Sequence, residues 1–117
     1  DLDGDGDQDL LVAQSNGPLV LFENRGMPRS GSWLDVLPVG RASNRSGVGA
    51  IVTAQLASGR TLVKPVGAGG ILNAASPPEA FFGLGDEIVT SVDVRWPSGT
   101  ESQLSGPLHG KVVVTEP

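Results

Sequence analysis

The sequence predicts an all-β chain: a hairpin headed by an acidic loop, then a small antiparallel β-sandwich or barrel. Three observations carry this reading. No stretch of roughly 10–12 residues shows a helical apolar period. Apolar runs instead alternate, most cleanly in Ser91-Val92-Asp93-Val94-Arg95-Trp96, where valine, valine and tryptophan share one face of a strand. The 17 glycines and nine prolines fall largely between these runs, where they read as turns.

In chain order, Leu10-Leu11-Val12-Ala13 and Leu19-Val20-Leu21-Phe22 flank Ser15-Asn16-Gly17-Pro18 and read as a first hairpin. Arg25 to Ser32 is a polar linker rich in glycine and proline, which places a domain boundary near residue 30 and divides the chain into 1–29 and 30–117. Trp33 to Val39 is strand-like, with Pro38 at an edge or strand end because it has no N–H for a ladder. Ala50–Leu56 and Thr61–Val66 form a second hairpin around Ala57-Ser58-Gly59-Arg60. A long loop follows around Ile71-Leu72. After the alternating strand, Pro97-Ser98-Gly99-Thr100 turns the chain and Lys111–Thr115 supplies a last strand.

The opening nine residues, Asp1-Leu2-Asp3-Gly4-Asp5-Gly6-Asp7-Gln8-Asp9, set a carboxylate at every second position. Ca²⁺ takes six to eight oxygens at roughly 2.3–2.6 Å, so one loop must deliver several carboxylates and a carbonyl to one point. Alternate spacing lets Asp1, Asp3 and Asp5 converge while Gly6 makes the sharp turn. Asp7 can present its backbone carbonyl, and Asp9 can return to close the shell. Without a cation these charges repel, so Ca²⁺ is the expected cofactor. The pattern argues against an EF-hand, whose twelfth position requires glutamate between helical flanks and here holds Val12 between strand-like runs.

Net charge is −5, and its location is informative. Five of the 13 acidic residues lie in the first nine positions, leaving eight acids against eight bases. With no basic cluster, nucleic-acid binding has no electrostatic support. The absence of cysteine excludes disulfides and thiolate metal sites. No apolar run approaches the roughly 20 residues of a membrane span. A calcium loop points outside the cytosol, so a secreted, extracellular or cell-surface location is expected. The chain opens on a candidate ligand rather than on methionine, and so reads as the tail of a longer or processed polypeptide.

The first 24 residues resemble the calcium-binding hairpin of FG-GAP/VCBS repeats, the blades of integrin-α-type β-propellers. The carriers are Asp1-x-Asp3-x-Asp5-Gly6-x-x-Asp9 with Leu10, Asn16-Gly17 at the turn, and Asn24. The remainder resembles the ASPIC/UnbV domain that follows such repeats in secreted proteins of the cartilage-acidic-protein type. Its carriers are Asn44-Arg45-Ser46-Gly47-Val48-Gly49-Ala50, Phe82-Gly83-Leu84-Gly85 and Val92-Asp93-Val94-Arg95-Trp96-Pro97-Ser98-Gly99. The resemblance implies a partial propeller blade ahead of the β domain. It also implies side-chain ligation by Asp1, Asp3, Asp5 and Asp9, a carbonyl from Asp7, and adhesion or binding without catalysis. A propeller needs several blades, so partners include missing N-terminal blades or a neighbouring copy. Where the family places an aromatic, polar segment after Gly70 and a histidine before the Phe-Gly-Leu-Gly, this chain has Ile71-Leu72-Asn73-Ala74 and Phe81.

Other residues read as structural. Gly47, Gly49, Gly83 and Gly85 are expected at turns or close packing, Trp96 in the core, and Trp33 in core or interdomain packing. His109 is expected in the surface loop Gly106-Pro107-Leu108-His109-Gly110, and Asp86-Glu87 capping exposed structure. Asn44-Arg45-Ser46 is a glycosylation sequon whose use depends on the source organism. No Gly-x-Ser-x-Gly elbow, P-loop or His-Glu-x-x-His is present, so no catalytic residue is assigned. The leading expectation is a calcium-binding extracellular interaction module with a protein or glycan partner. The alternatives are a structural subunit assembled by β-strand pairing and a calcium-dependent carbohydrate-binding appendage of an enzyme.

Overall fold

The computed structural model describes residues 1–26, 32–70 and 74–117. Most of the linker after Arg25, with its boundary near residue 30, and the Ile71-Leu72 pair with Asn73 lie outside the described residues. Among the described residues all regular structure is β. The chain divides into two compact units, Asp1–Ser30 and Gly31–Pro117.

The first unit is an antiparallel pair, β1 (Leu10–Val12) and β2 (Val20–Phe22), with Leu10 opposite Phe22 and Val12 opposite Val20. The connection spans seven residues rather than a two-residue turn, so Asn16-Gly17 sits at its tip without setting the register alone. Three-residue strands cannot bury both faces of a ribbon, and Leu10, Leu11, Leu19, Leu21 and Phe22 are all exposed.

Among the described residues the second unit holds seven strands in two sheets. One has the order β6 (Ala80–Gly85), β3 (Ser32–Val39), β9 (Gly110–Thr115). The other has the order β5 (Thr61–Pro65), β4 (Ile51–Leu56), β7 (Val89–Arg95), β8 (Glu101–Leu108). The two sheets share one core, and neither closes into a barrel: the fold is sandwich-like. Alternation on each strand supplies that core. Leu34 and Val36 of β3, Ala80, Phe82 and Leu84 of β6, and Val114 of β9 meet Val52, Ala54 and Leu56 of β4 and Val89, Val92 and Val94 of β7. Each fully buried valine or leucine contributes about 1.5–3 kcal/mol relative to exposure. Trp96 follows β7 and is buried among them. Its indole N–H donates to Ser102 Oγ at 2.9 Å, and Ser102 Oγ donates to the Thr115 carbonyl at 3.2 Å, so the polar edge of the ring is satisfied.

Three sequence expectations are corrected here. The β domain is not wholly antiparallel, because β3 and β9 run parallel with Asp35 opposite Lys111 and Leu37 opposite Val113. The first and last strands of the unit are thus neighbours, a long-range pairing that no local pattern encodes. Gly83 is not a turn residue: it lies within β6 opposite Trp33. Gly85 (φ 61°) does end that strand. Finally, the segment containing Gly106, Pro107 and Leu108 is not a loop but the end of β8, paired to β7 with Leu108 opposite Val89. The inward positions of β8 are Ser102, Leu104, Gly106 and Leu108, a mixed set that hides the period. His109 is the exposed residue between β8 and β9.

Glu116, just past β9, is an acid buried to 1 % exposure. Its Oε2 accepts from the backbone N–H of Arg41 (2.6 Å) and Ser43 (2.7 Å), and its Oε1 from the hydroxyls of Ser43 (2.7 Å) and Ser98. Its own N–H donates to the Val39 carbonyl at 2.9 Å. One carboxylate therefore joins the end of β9 to the loop after β3 and to the turn between β7 and β8. Burial pushes the Glu116 carboxyl up, but the bonds from Ser98, Ser43 and Arg41 outweigh it and hold the pKa at about 2, against an ordinary 4.5.

Candidate metal centre

The acidic loop is shaped by its glycines and by its own carboxylates. Gly4 (φ 79°) and Gly6 (φ 95°) both adopt the left-handed region that a side chain disfavours. Between them, Asp1 Oδ1 accepts from Gly4 N at 2.8 Å, Asp3 Oδ1 from Asp5 N at 3.2 Å, and Asp5 Oδ1 from Asp7 N at 2.8 Å. Each is a short-range turn of the kind aspartate favours. These three bonds use only the Oδ1 atoms.

The outcome is a convergence. Asp1, Asp3 and Asp5, all exposed, bring one carboxylate oxygen each to within 4.8 Å of one another. A purely oxygen, triply anionic set of this kind matches a hard divalent cation and not a soft one. The residues present therefore fit calcium.

The carboxylates of the other two expected ligands lie outside this trio, and for Asp7 the expected donor is its backbone carbonyl. Asp9 stands outside this cluster, and both its oxygens accept backbone bonds: Oδ2 from Leu2 N at 2.7 Å and Oδ1 from Asn24 N at 2.9 Å. The bonds from Leu2 and Asn24 hold its carboxyl below the usual range. Asp9 thus ties the start of the loop to the strand leaving the hairpin. Asp7 is half-buried with its side chain toward Gly26, and a Cβ there would collide with Asp7 Oδ2. Gly26 (φ 64°) is itself fixed by its N–H bond to Asn24 Oδ1 at 3.2 Å. Asn24, expected from the sequence only as a motif end, therefore donates its N–H to Asp9 and accepts from Gly26 through its side chain.

In the second unit, the segment Asn44–Ala50 forms a braced loop. Asn44 Oδ1 accepts from Ser46 N at 3.0 Å and the Asn44 carbonyl from Gly47 N at 2.7 Å. Gly47 (φ 65°) has no space for a Cβ against Pro38, and Gly49 (φ 91°) lies against Pro97. These glycines serve conformation and close packing. Trp33 stacks on Phe81 with ring centroids 5.8 Å apart. Glu87 accepts from Ser58 Oγ and pairs with Arg60 at 2.5 Å, bracing the β4–β5 turn. One polar cluster had no sequence signal: Asp35, Glu79 and Lys111 meet on the outer face of the three-stranded sheet.

This arrangement, an acidic loop on a short hairpin followed by a sandwich-like β unit, agrees with the family comparisons. A family model described as ASPIC and UnbV matches residues 40–116, and one described as an FG-GAP-like repeat matches residues 1–56. The chain belongs to the ASPIC and UnbV family. It is similar to cartilage acidic protein 1 of Mus musculus, with 36 % identity over 103 residues covering 85 % of this chain and 16 % of the relative. It is similar to cartilage acidic protein 1 of Homo sapiens, with 32 % identity over 124 residues covering 100 % of this chain and 18 % of the relative. The chain thus spans less than a fifth of the length of these relatives.

Proposed function

We propose that this chain is a non-catalytic, calcium-stabilised interaction module of an extracellular, adhesion-type protein. The observation that carries the reading is the convergence of Asp1, Asp3 and Asp5 within the segment matched by the FG-GAP-like repeat. A bound Ca²⁺ supplies positive charge that offsets the mutual repulsion of these carboxylates. Asp1, Asp3 and Asp5 hold it through side chains, Asp7 contributes its carbonyl, and Asp9 fastens the loop to Asn24 whatever the metal content. Metal binding of this kind is folding free energy for the unit that carries the ligands. The likeness to cartilage acidic protein 1 supports the extracellular setting.

Calcium titration of the chain by calorimetry, beside Asp3→Ala and Asp5→Ala variants, tests the site. A saturable heat lost in both variants supports it, and equal heats in all three proteins reject it.

A specific observation favours assembly through the hairpin as a second reading. Six large apolar residues of the first unit, Leu2, Leu10, Leu11, Leu19, Leu21 and Phe22, are exposed at 51–64 %. Short strands with bare edges and apolar faces are suited to pairing with further β structure. Neighbouring blades or another copy of the chain would cover them. Sedimentation of the calcium-loaded chain distinguishes the readings: a monomer removes self-assembly.

A further inference from the structure

We propose that the free edge of β9 is an interface between two copies of this chain, in which β9 pairs with its counterpart antiparallel about Val113. Among the described residues β9 pairs with β3 alone, so its other edge carries no strand. Two hydrogen bonds fix which residues face that edge. Glu116 N–H donates to the Val39 carbonyl of β3 at 2.9 Å, and in an extended strand the backbone groups of alternate residues point the same way. Gly110, Val112 and Val114 therefore turn their N–H and C=O groups toward β3, and Lys111, Val113 and Thr115 turn theirs away. The Thr115 carbonyl agrees, since it accepts at 3.2 Å from Ser102 Oγ of the opposite sheet.

The other outer strands carry residues that discourage pairing. β5 ends in Lys64 and Pro65, β8 contains Gly106 and Pro107, and β6 contains Gly83 and ends at Gly85. β9 has no proline, and its run Val112-Val113-Val114 favours a strand strongly. Val113 is 59 % exposed. Leu104 and Leu108 of β8 and Val112 of β9 pack against the core yet are only partly buried. β8 and β9 end their sheets on the same side of the sandwich, as the Ser102–Thr115 bond shows, and a strand added there would shield these three side chains.

Alternating unpaired N–H and C=O groups are matched by another extended strand, and β9 is its own complement. With Val113 facing the partner's Val113, Lys111 faces the partner's Thr115, so all three outward residues fall in hydrogen-bonded pairs. The Thr115 carbonyl keeps a second lone pair for this bond. Centring the pair on Lys111 would set like charges opposite each other, and centring it on Thr115 would carry Lys111 and Val113 past the end of the partner's β9. Lys111 is the one charged residue of β9, and its Nζ lies 3.3 Å from Asp35 Oδ2 of its own chain, so its charge is already balanced. The pairing joins the two three-stranded sheets into one continuous sheet across a two-fold axis. It uses neither the acidic loop nor the hairpin.

Sedimentation and amide exchange of the full chain in calcium buffer, at about 10 µM and about 1 mM, test this at concentrations suited to a small interface. A monomer–dimer equilibrium is expected. At the higher concentration exchange should slow by about tenfold at Lys111, Val113 and Thr115, while Val112 and Val114 are slow at both. Val113→Lys sets like charges across the two-fold axis, and Val113→Pro removes an N–H that β3 does not use. Both variants are expected to be monomeric and to keep the protection of Val112 and Val114. Leu21→Lys, on the exposed face of the hairpin, is expected to leave the dimer intact. A monomer at the higher concentration overturns the proposal, as does a dimer that survives both Val113 variants. Loss of the dimer in Leu21→Lys overturns it by placing the contact on the hairpin, and so does protection of Val113 that is independent of concentration.

Discussion

Glu116 accepts two hydrogen bonds from Ser43, one from its backbone N–H and one from its hydroxyl, each at 2.7 Å, across 73 positions of sequence. The carboxylate substitutes for water at a point where three chain segments leave their strands together. Replacing Glu116 by alanine leaves the Arg41 and Ser43 N–H groups without their acceptor in a part-buried site. The melting temperature of the second unit is expected to fall by on the order of 10 °C, read by calorimetry.

The same residue sets an acid limit. Its folded-state pKa of about 2 lies below the ordinary 4.5, so its contribution is full above 4.5 and is lost as pH falls from 4.5 toward 2. Parent and Glu116→Gln should therefore differ most at neutral pH and converge in acid. Melting curves at stepped pH check this, and a constant difference would contradict the role given to the carboxylate.

Asp3 and Asp9 are expected to separate by experiment although the sequence sets them in one motif. Asp3→Asn removes a carboxylate from the convergent set and should cost only the calcium-dependent part of the hairpin's protection. Asp9→Asn weakens the charge-assisted bonds from Leu2 and Asn24, so it should speed exchange of the hairpin amides in chelator as well. Hydrogen exchange with and without calcium reads both.

Gly47→Ala is expected to destabilise the second unit by about 1–3 kcal/mol, because alanine is strained at φ 65° and its methyl group would meet Pro38. Gly69→Ala provides the control, since a Cβ there has open space. Denaturant midpoints for the two variants should differ accordingly.

How much of this was legible depends on the range of each interaction. The alternation of Val92, Val94 and Trp96 set a buried strand face because its cause is local and strong. The acidic loop was legible for the same reason, its aspartates and glycines lying within nine positions. The roles within it were less so: Asp9 follows the motif spacing, yet it is Leu2 and Asn24 that engage its oxygens. Strand β8 carries no clear apolar period because Ser102 and Gly106 occupy inward positions that leucine or valine usually fills. Glu116 and Asp35 were indistinguishable from surface acids, since their burial depends on partners 73 and 76 residues away, Ser43 and Lys111. The parallel pairing of β3 with β9 has the same origin.

We assign calcium binding, and through it the stability of the hairpin, to the loop carrying Asp1, Asp3 and Asp5. Amide exchange at Leu10–Val12 and Val20–Phe22, in chelator and then in calcium at about 100 times its dissociation constant, tests it most directly. Calcium is expected to slow exchange there by on the order of a hundredfold, and Asp3→Ala to abolish the effect. Equal exchange rates in calcium and chelator would contradict it.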